Sequence, residues 1–111
     1  MSSENLYRIF SNAPSDKLLG LIIENQGDLK GKSIKCEETN PNVIHRGTLS
    51  RIEVRGGEVQ IWAEFPGLGE MSTRYKTDDL KISLTENSLA FEVTETLPGF
   101  GEYRSTTTIF F

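Results

Sequence analysis

The strongest constraint on this chain is a loop sequence that occurs twice. Phe65-Pro66-Gly67-Leu68-Gly69-Glu70-Met71 returns further along as Leu97-Pro98-Gly99-Phe100-Gly101-Glu102-Tyr103. Proline presets φ for the second position of a tight turn, glycine takes the positive φ that follows, and a second glycine accommodates a bulge into the next strand. No helical periodicity follows either loop, as a phosphate-cradling Gly-rich loop would require, and alternating apolar residues flank both. The two segments therefore predict hairpin connections, and the chain around them predicts antiparallel strands.

A register follows. Arg55-Gly56-Gly57-Glu58 is a two-residue hairpin signal, because a type I′ turn needs positive φ at both centres. It pairs Val54 with Val59, Ile52 with Ile61, Ser50 with Ala63 and Thr48 with Phe65, all on one face. The first Pro-Gly loop then sets Phe65 opposite Met71, Ala63 opposite Thr73 and Ile61 opposite Tyr75. A turn at Glu86-Asn87 pairs Leu84 with Leu89, Ile82 with Phe91 and Leu80 with Val93. The second Pro-Gly loop sets Leu97 opposite Tyr103, Val93 opposite Thr107, Phe91 opposite Ile109 and Leu89 opposite Phe111. A three-stranded meander at about 48–77 is thus repeated at about 80–111. Upstream, residues 32–37 alternate with Ile34 and Cys36 on one face, and Asn40-Pro41-Asn42 reads as a turn. Residues 5–10 alternate as a short first strand. Ser15 caps a helix over about 15–26 that carries Leu18, Leu19, Ile22 and Ile23 on one face and stops at Gly27. The expected fold is mainly β, one domain spanning 1–111: an antiparallel meander barrel of about seven to eight strands with one short N-terminal helix, a sandwich being the alternative.

Composition narrows the function. No apolar run approaches the length of a membrane-spanning helix, roughly 20 residues. The N-terminus lacks the basic start and apolar core of a secretory signal, so a cytoplasmic protein with no membrane partner is expected. The single Cys36 forbids an internal disulfide and suits a reducing compartment. A net charge of −4 disfavours nucleic acid as a general partner, since phosphate neutralisation dominates such binding. Charge is uneven: Lys30, Lys32, Lys35, Arg46, Arg51 and Arg55 outnumber the acids in their segment, while residues 85–111 are acidic.

No catalytic set emerges. His45 is the lone histidine and Cys36 the lone thiol; Cys36 shares a face with Ile34, as a buried inert thiol does, and His45 reads as a surface loop residue. Glu37-Glu38 and Asp78-Asp79 are neighbours in sequence, which on a strand points them to opposite faces, so no metal or other cofactor is expected.

Three regions remain for binding. Leu68 and Phe100, each between glycines, form a lip at the end of the barrel carrying both Pro-Gly loops. Towards that end the inward face is polar, comprising Thr48, Ser50, Thr73, Tyr75, Glu95, Ser105 and Thr107; buried hydroxyls and a carboxylate need one another, water or a ligand. On the outer face the register puts Trp62 between Arg51 and Arg74, a cation–π arrangement of residue types enriched in binding hot spots.

At the level of architecture, a meander barrel with one helix resembles the lipocalin-type small-ligand carriers, and residues 31–65 resemble a small Sm or SH3-like barrel core. The reading taken from the residues is a non-enzymatic binding protein holding a small ligand at the barrel mouth, with Leu68, Phe100, Thr73, Tyr75, Glu95 and Ser105 as contacts. The alternative is a protein-interaction module, an inhibitor or assembly subunit, using Trp62, Arg51 and Arg74. A weaker alternative stacks a nucleotide or RNA base on that same face. The oligomeric state stays open, a homo-oligomer included.

Overall fold

The computed structural model describes residues 3–39 and 42–111. Within them three helices, α1 (Ser3–Ser11), α2 (Leu18–Glu24) and α3 (Gln26–Leu29), precede seven strands: β1 (Ser33–Glu38), β2 (Val43–Arg55), β3 (Glu58–Phe65), β4 (Gly69–Lys76), β5 (Lys81–Thr85), β6 (Ser88–Leu97) and β7 (Gly101–Phe110). The strands form one antiparallel sheet in the order β4-β3-β2-β1-β7-β6-β5. The mainly-β expectation holds. The barrel does not: β4 and β5 are both edge strands, and the sheet curls without closing. The turn expected at Asn40-Pro41-Asn42 rests on residues 40 and 41, which lie outside the described residues. Among the described residues, no helix is long and apolar enough to cross a membrane.

The N-terminus corrects the sequence reading. Residues 5–10 are helical, inside α1, not a strand. Leu6 and Phe10 are four apart, a spacing that satisfies both a two-residue and a 3.6-residue period. Both are fully buried, and Phe10 meets the Phe111 ring edge-on with centroids 6.2 Å apart. Ser15 is no cap, because α2 starts at Leu18 with Lys17 at its N-cap position and no side-chain cap bond. Gly27 does not stop the helix either: Asn25 ends α2 at φ −104°, and Gly27 lies within α3. The glycine whose positive φ redirects the chain into the sheet is Gly31, at 88°.

Parity in the sheet is largely as expected, but the rows are displaced. Arg55↔Glu58, Val54↔Val59 and Ile52↔Ile61 pair as the Gly-Gly turn requires. Between Leu49 and Arg51 the register then shifts, so Leu49 opposes Ala63 and Thr48 opposes Glu64. This bulge at Ser50 turns Leu49 into the core and Thr48 out of it, and leaves Ser50 half-buried with no register partner in β3. Both Pro-Gly hairpins are tighter than expected, by two residues of register. Leu68 N–H donates to Phe65 O and Phe100 N–H to Leu97 O, each at 3.0 Å, and Phe65 pairs with Gly69 as Leu97 pairs with Gly101. All four glycines of these loops have positive φ, from 76° at Gly69 to 87° at Gly101. That is the geometry the loop sequence demands. Because a shift of two preserves the face, inward residues of these hairpins stay inward: Tyr75 opposes Val59 rather than Ile61, and Phe91 opposes Thr107 rather than Ile109. Leu80 precedes β5 and packs partly buried against the core.

The inward face divides in two. Along β1 it runs from Ile34 to Cys36 and Glu38, along β6 from Leu89 and Phe91 to Glu95, and along β7 from Ile109 to Thr107, Ser105 and Tyr103. The helices cover the apolar half, where Leu6, Phe10, Ile22 and Leu29 join Ile34, Leu49, Ile52, Ile61, Phe91 and Ile109 in one core. Gln26 ties this cover to the sheet through the Ile52 N–H, which donates to its Oε1 at 2.9 Å.

Two positions test this packing. A Cβ on Gly47 would run into Glu64 O and come within 2.8 Å of Phe65 Cδ1. Gly47→Ala is therefore expected to lower unfolding stability by about 1–3 kcal/mol in urea titration. Gly20, whose Cβ would meet nothing within 4 Å, should accept alanine without loss.

Candidate functional site

Tyr75 organises the polar half. Its hydroxyl lies 2.6 Å from Thr107 Oγ1 and 3.0 Å from Ser105 Oγ, both on β7. In the sheet order β4 and β7 are four strand spacings apart. In a flat sheet that separation would be about 19 Å. The sheet must therefore curl hard enough to bring its β4 edge over β7. Thr107 continues the chain of contacts by donating to Cys36 Sγ at 3.8 Å on β1.

The curl leaves a cavity of about 440 Å³ between the β4 edge and the β6–β7 hairpin. Residues 72–76 of β4 form one wall; Val93, Glu95, Tyr103 and Ser105 form the other; Glu38, Glu58 and Asp79 complete the lining. Of the residues expected to hold a ligand, Thr73, Tyr75, Glu95 and Ser105 are thus brought together in one place. Leu68 and Phe100 are not. Both hairpin tips lie at the same end of the sheet, as the alternating strand directions require, but they are 56% and 76% exposed and take no part in the cavity lining. Sequence reasoning missed Glu38 and Tyr103, although period-two extension of Ile34–Cys36 and of Thr107–Ser105 reaches them.

Titration in this region runs one way. Burial pushes the Tyr75 phenol above its ordinary value, against hydrogen bonds with Ser105 and Thr107 that pull it down. Tyr103 is raised too, by its burial first and then by the Glu38 charge, with Glu95 adding to it. The Cys36 thiol is raised by burial, with Glu38 adding and Thr107 and Thr73 opposing. His45 is the register partner of Cys36 across β1–β2. Its ring, however, packs edge-on against Phe65 with centroids 6.0 Å apart. A raised thiol is, moreover, the reverse of what a nucleophile needs. His45 belongs to a strand rather than a loop, and is exposed there. Among the described residues, no group of three or more His, Cys, Asp or Glu is placed to hold a metal ion.

The outer face around Trp62 is only partly as expected. Arg51 Cζ stands 4.4 Å from the Trp62 ring centroid. The same guanidinium meets Glu53 at 3.0 Å and Glu70 at 3.6 Å. Arg74 is not beside Trp62, because the two-residue shift places Ser72 there and sets Arg74 opposite Gln60. Gln60 Nε2 donates to Ser72 Oγ at 3.0 Å, while the Trp62 indole N–H is buried with no acceptor among the described residues.

Compared with protein-family models, curated proteins and solved structures, the chain shows no match.

The raised groups fix the sign of a pH effect. Tyr75 and Cys36 hold their protons more tightly folded than unfolded, so the stability they contribute is intact below their ordinary values, 10.0 and 9.0, and is lost as pH rises through the folded ones. The urea midpoint is expected to fall as pH climbs past the ordinary thiol value, and more gently in Tyr75→Phe. That variant also strips a partner from Ser105 and the fully buried Thr107. The cost at neutral pH is expected to be about 1–3 kcal/mol.

Proposed function

We propose that the protein is a non-enzymatic binding protein that takes its ligand into the cavity between β4 and the β6–β7 hairpin. The observation that carries this reading is the cavity itself, whose volume is about 440 Å³. Ligand sites typically enclose roughly 300–1,000 Å³. Its walls bring hydroxyls from Thr73, Tyr75, Tyr103 and Ser105 together with carboxylates from Glu38 and Glu95. A polar half-face with so many donors and acceptors, left open by helices that cover only the apolar half, favours an occupant that hydrogen-bonds. Thr73, Tyr75, Glu95 and Ser105 are the proposed contacts. The hairpin tips Leu68 and Phe100 would act outside the cavity, at the end of the sheet.

A second reading uses the outer face, and the half-exposed Arg51 guanidinium stacked over the Trp62 ring favours it, since arginine and tryptophan are enriched where protein partners bind. Stacking of a nucleobase carries less weight, because Arg51 already faces two carboxylates.

Native mass spectrometry of gently purified protein, compared with the denatured mass, separates these readings. Bound mass that vanishes on denaturation, and that is lost in Glu95→Ala and in the cavity-filling Thr73→Trp while both variants keep the wild-type circular dichroism, is the expected result. Bound mass lost only in Trp62→Ala would instead support the outer face.

A further inference from the structure

We propose that the ligand of this cavity is an extended peptide, which joins the sheet as an added strand along the free edge of β4. The inference rests on the cavity being the binding site and names what enters it.

The lining itself shows an edge. Side chains on one face of a strand would supply every second residue, yet residues 72–76 line the cavity consecutively. The hydrogen-bond alternation of β4 explains this. Thr77 N–H donates to Gly57 O at 2.9 Å, and among the described residues β4 pairs with β3 alone, with Tyr75 opposite Val59 and Thr73 opposite Ile61. In an antiparallel ladder every second residue bonds to a given neighbour. Thr73, Tyr75 and Thr77 therefore direct their backbone groups to β3. The N–H and C=O groups of Ser72, Arg74 and Lys76 point the other way, into the cavity.

The far wall is a face: Val93, Glu95, Tyr103 and Ser105 line it, every second residue of β6 and β7, although the outer edge of β6 is open beyond Glu92. β5 pairs with β6 only over Ser88 to Glu92, from Thr85↔Ser88 to Lys81↔Glu92. The two-residue turn at Glu86-Asn87 makes Thr85 and Ser88 a bonded pair, so Ala90 and Glu92 face β5. Continuing the alternation, Thr94 and Thr96 direct their backbone groups to the side where no described strand lies. The cavity is thus a trough between the unpaired backbone of β4 and the inward face of the β6–β7 hairpin. From Ser72 to Lys76 it runs about 13 Å, the reach of a short extended segment. Strand addition to an open edge draws affinity from main-chain bonds and selectivity from the alternating side chains.

Those side chains describe the peptide. Its inward residues would lie beside Thr73 and Tyr75 and face Glu38, Glu95 and Tyr103, which suits lysine, arginine or a hydroxyl. Its outward residues would lie beside Arg74 and Lys76, which suits aspartate or glutamate, since opposite charges stabilise neighbouring positions across strands. The occupant is therefore a segment of alternating sign, basic inward and acidic outward.

The test is a display selection of a short randomised peptide library on the full-length protein, followed by synthesis of the enriched sequence. Enrichment of basic and acidic residues at alternate positions is expected. N-methylation of every second amide, those facing β4, should weaken binding by about tenfold or more, and methylation of the intervening amides should not. Amide exchange at Ser72, Arg74 and Lys76 should slow in the complex. Arg74→Pro removes one outward N–H without touching the β3 ladder and should reproduce the loss; if this variant does not fold, the methylation series on the wild-type protein decides alone. Equal tolerance of methylation at all positions, or no enriched peptide, would overturn the proposal. If no peptide is enriched while a small molecule co-purifies and is lost in Glu95→Ala, the cavity reading stands and strand addition falls. If neither ligand is found, both fall.

Discussion

The contact between the Tyr75 hydroxyl and the hydroxyls of Ser105 and Thr107 is the constraint on which the shape depends. A seven-stranded antiparallel sheet with one polar and one apolar region on the same face could lie open, with helices on part of it and water on the rest. Three hydroxyls joined across the concavity turn it into a trough. The buried position of Thr107 makes this an interior bond rather than a surface one, and interior polar groups that satisfy one another fix a single arrangement more sharply than apolar contacts do. Everything proposed for the cavity follows from the curl that this contact records.

The division of labour on the concave face is chemical before it is structural. Leucine, isoleucine and phenylalanine fill the part that the helices cover. Burial of those side chains, each contributing about 1.5–3 kcal/mol, is what makes three short helices worth ordering. None of α1, α2 or α3 is long enough to be stable alone in water, so their helicity comes from the apolar stripe they dock. Where the inward residues become threonine, serine, tyrosine and glutamate there is nothing for an apolar helix face to bury, and the cover ends. The cavity begins at that boundary.

Much of this is legible in the residues, and the departures have physical sources. Face assignment survives wherever a displacement is even: the tighter Pro-Gly loops move Tyr75 and Arg74 two residues along without turning them over, so Thr73, Tyr75, Glu95 and Ser105 remain together while Arg74 parts from Trp62. An odd displacement is invisible. The bulge at Ser50 exchanges Thr48 for Leu49 in the core, and neither glycine nor proline stands at the bulge to mark it. The α1 segment misleads because a spacing of four suits strand and helix alike. Closure escapes for a different reason: each meander can be worked out from its own turns, but the edges meet or fail to meet according to how far the whole sheet curls, which no local pattern encodes.

The position of β1 has a consequence for how this molecule folds. β2–β3–β4 and β5–β6–β7 are each assembled by hairpins, with partners close in sequence. The seam between them is β1 against β7, whose pairs, from Glu38↔Ser105 to Ser33↔Phe110, join opposite ends of the chain. Loop-closure entropy must be overcome before that seam gives anything back. β1 itself pairs locally with β2, from Glu38↔Val43 to Ser33↔Thr48, so the long-range step is the docking of β7 on β1, which is expected to form after the two local units on either side of it.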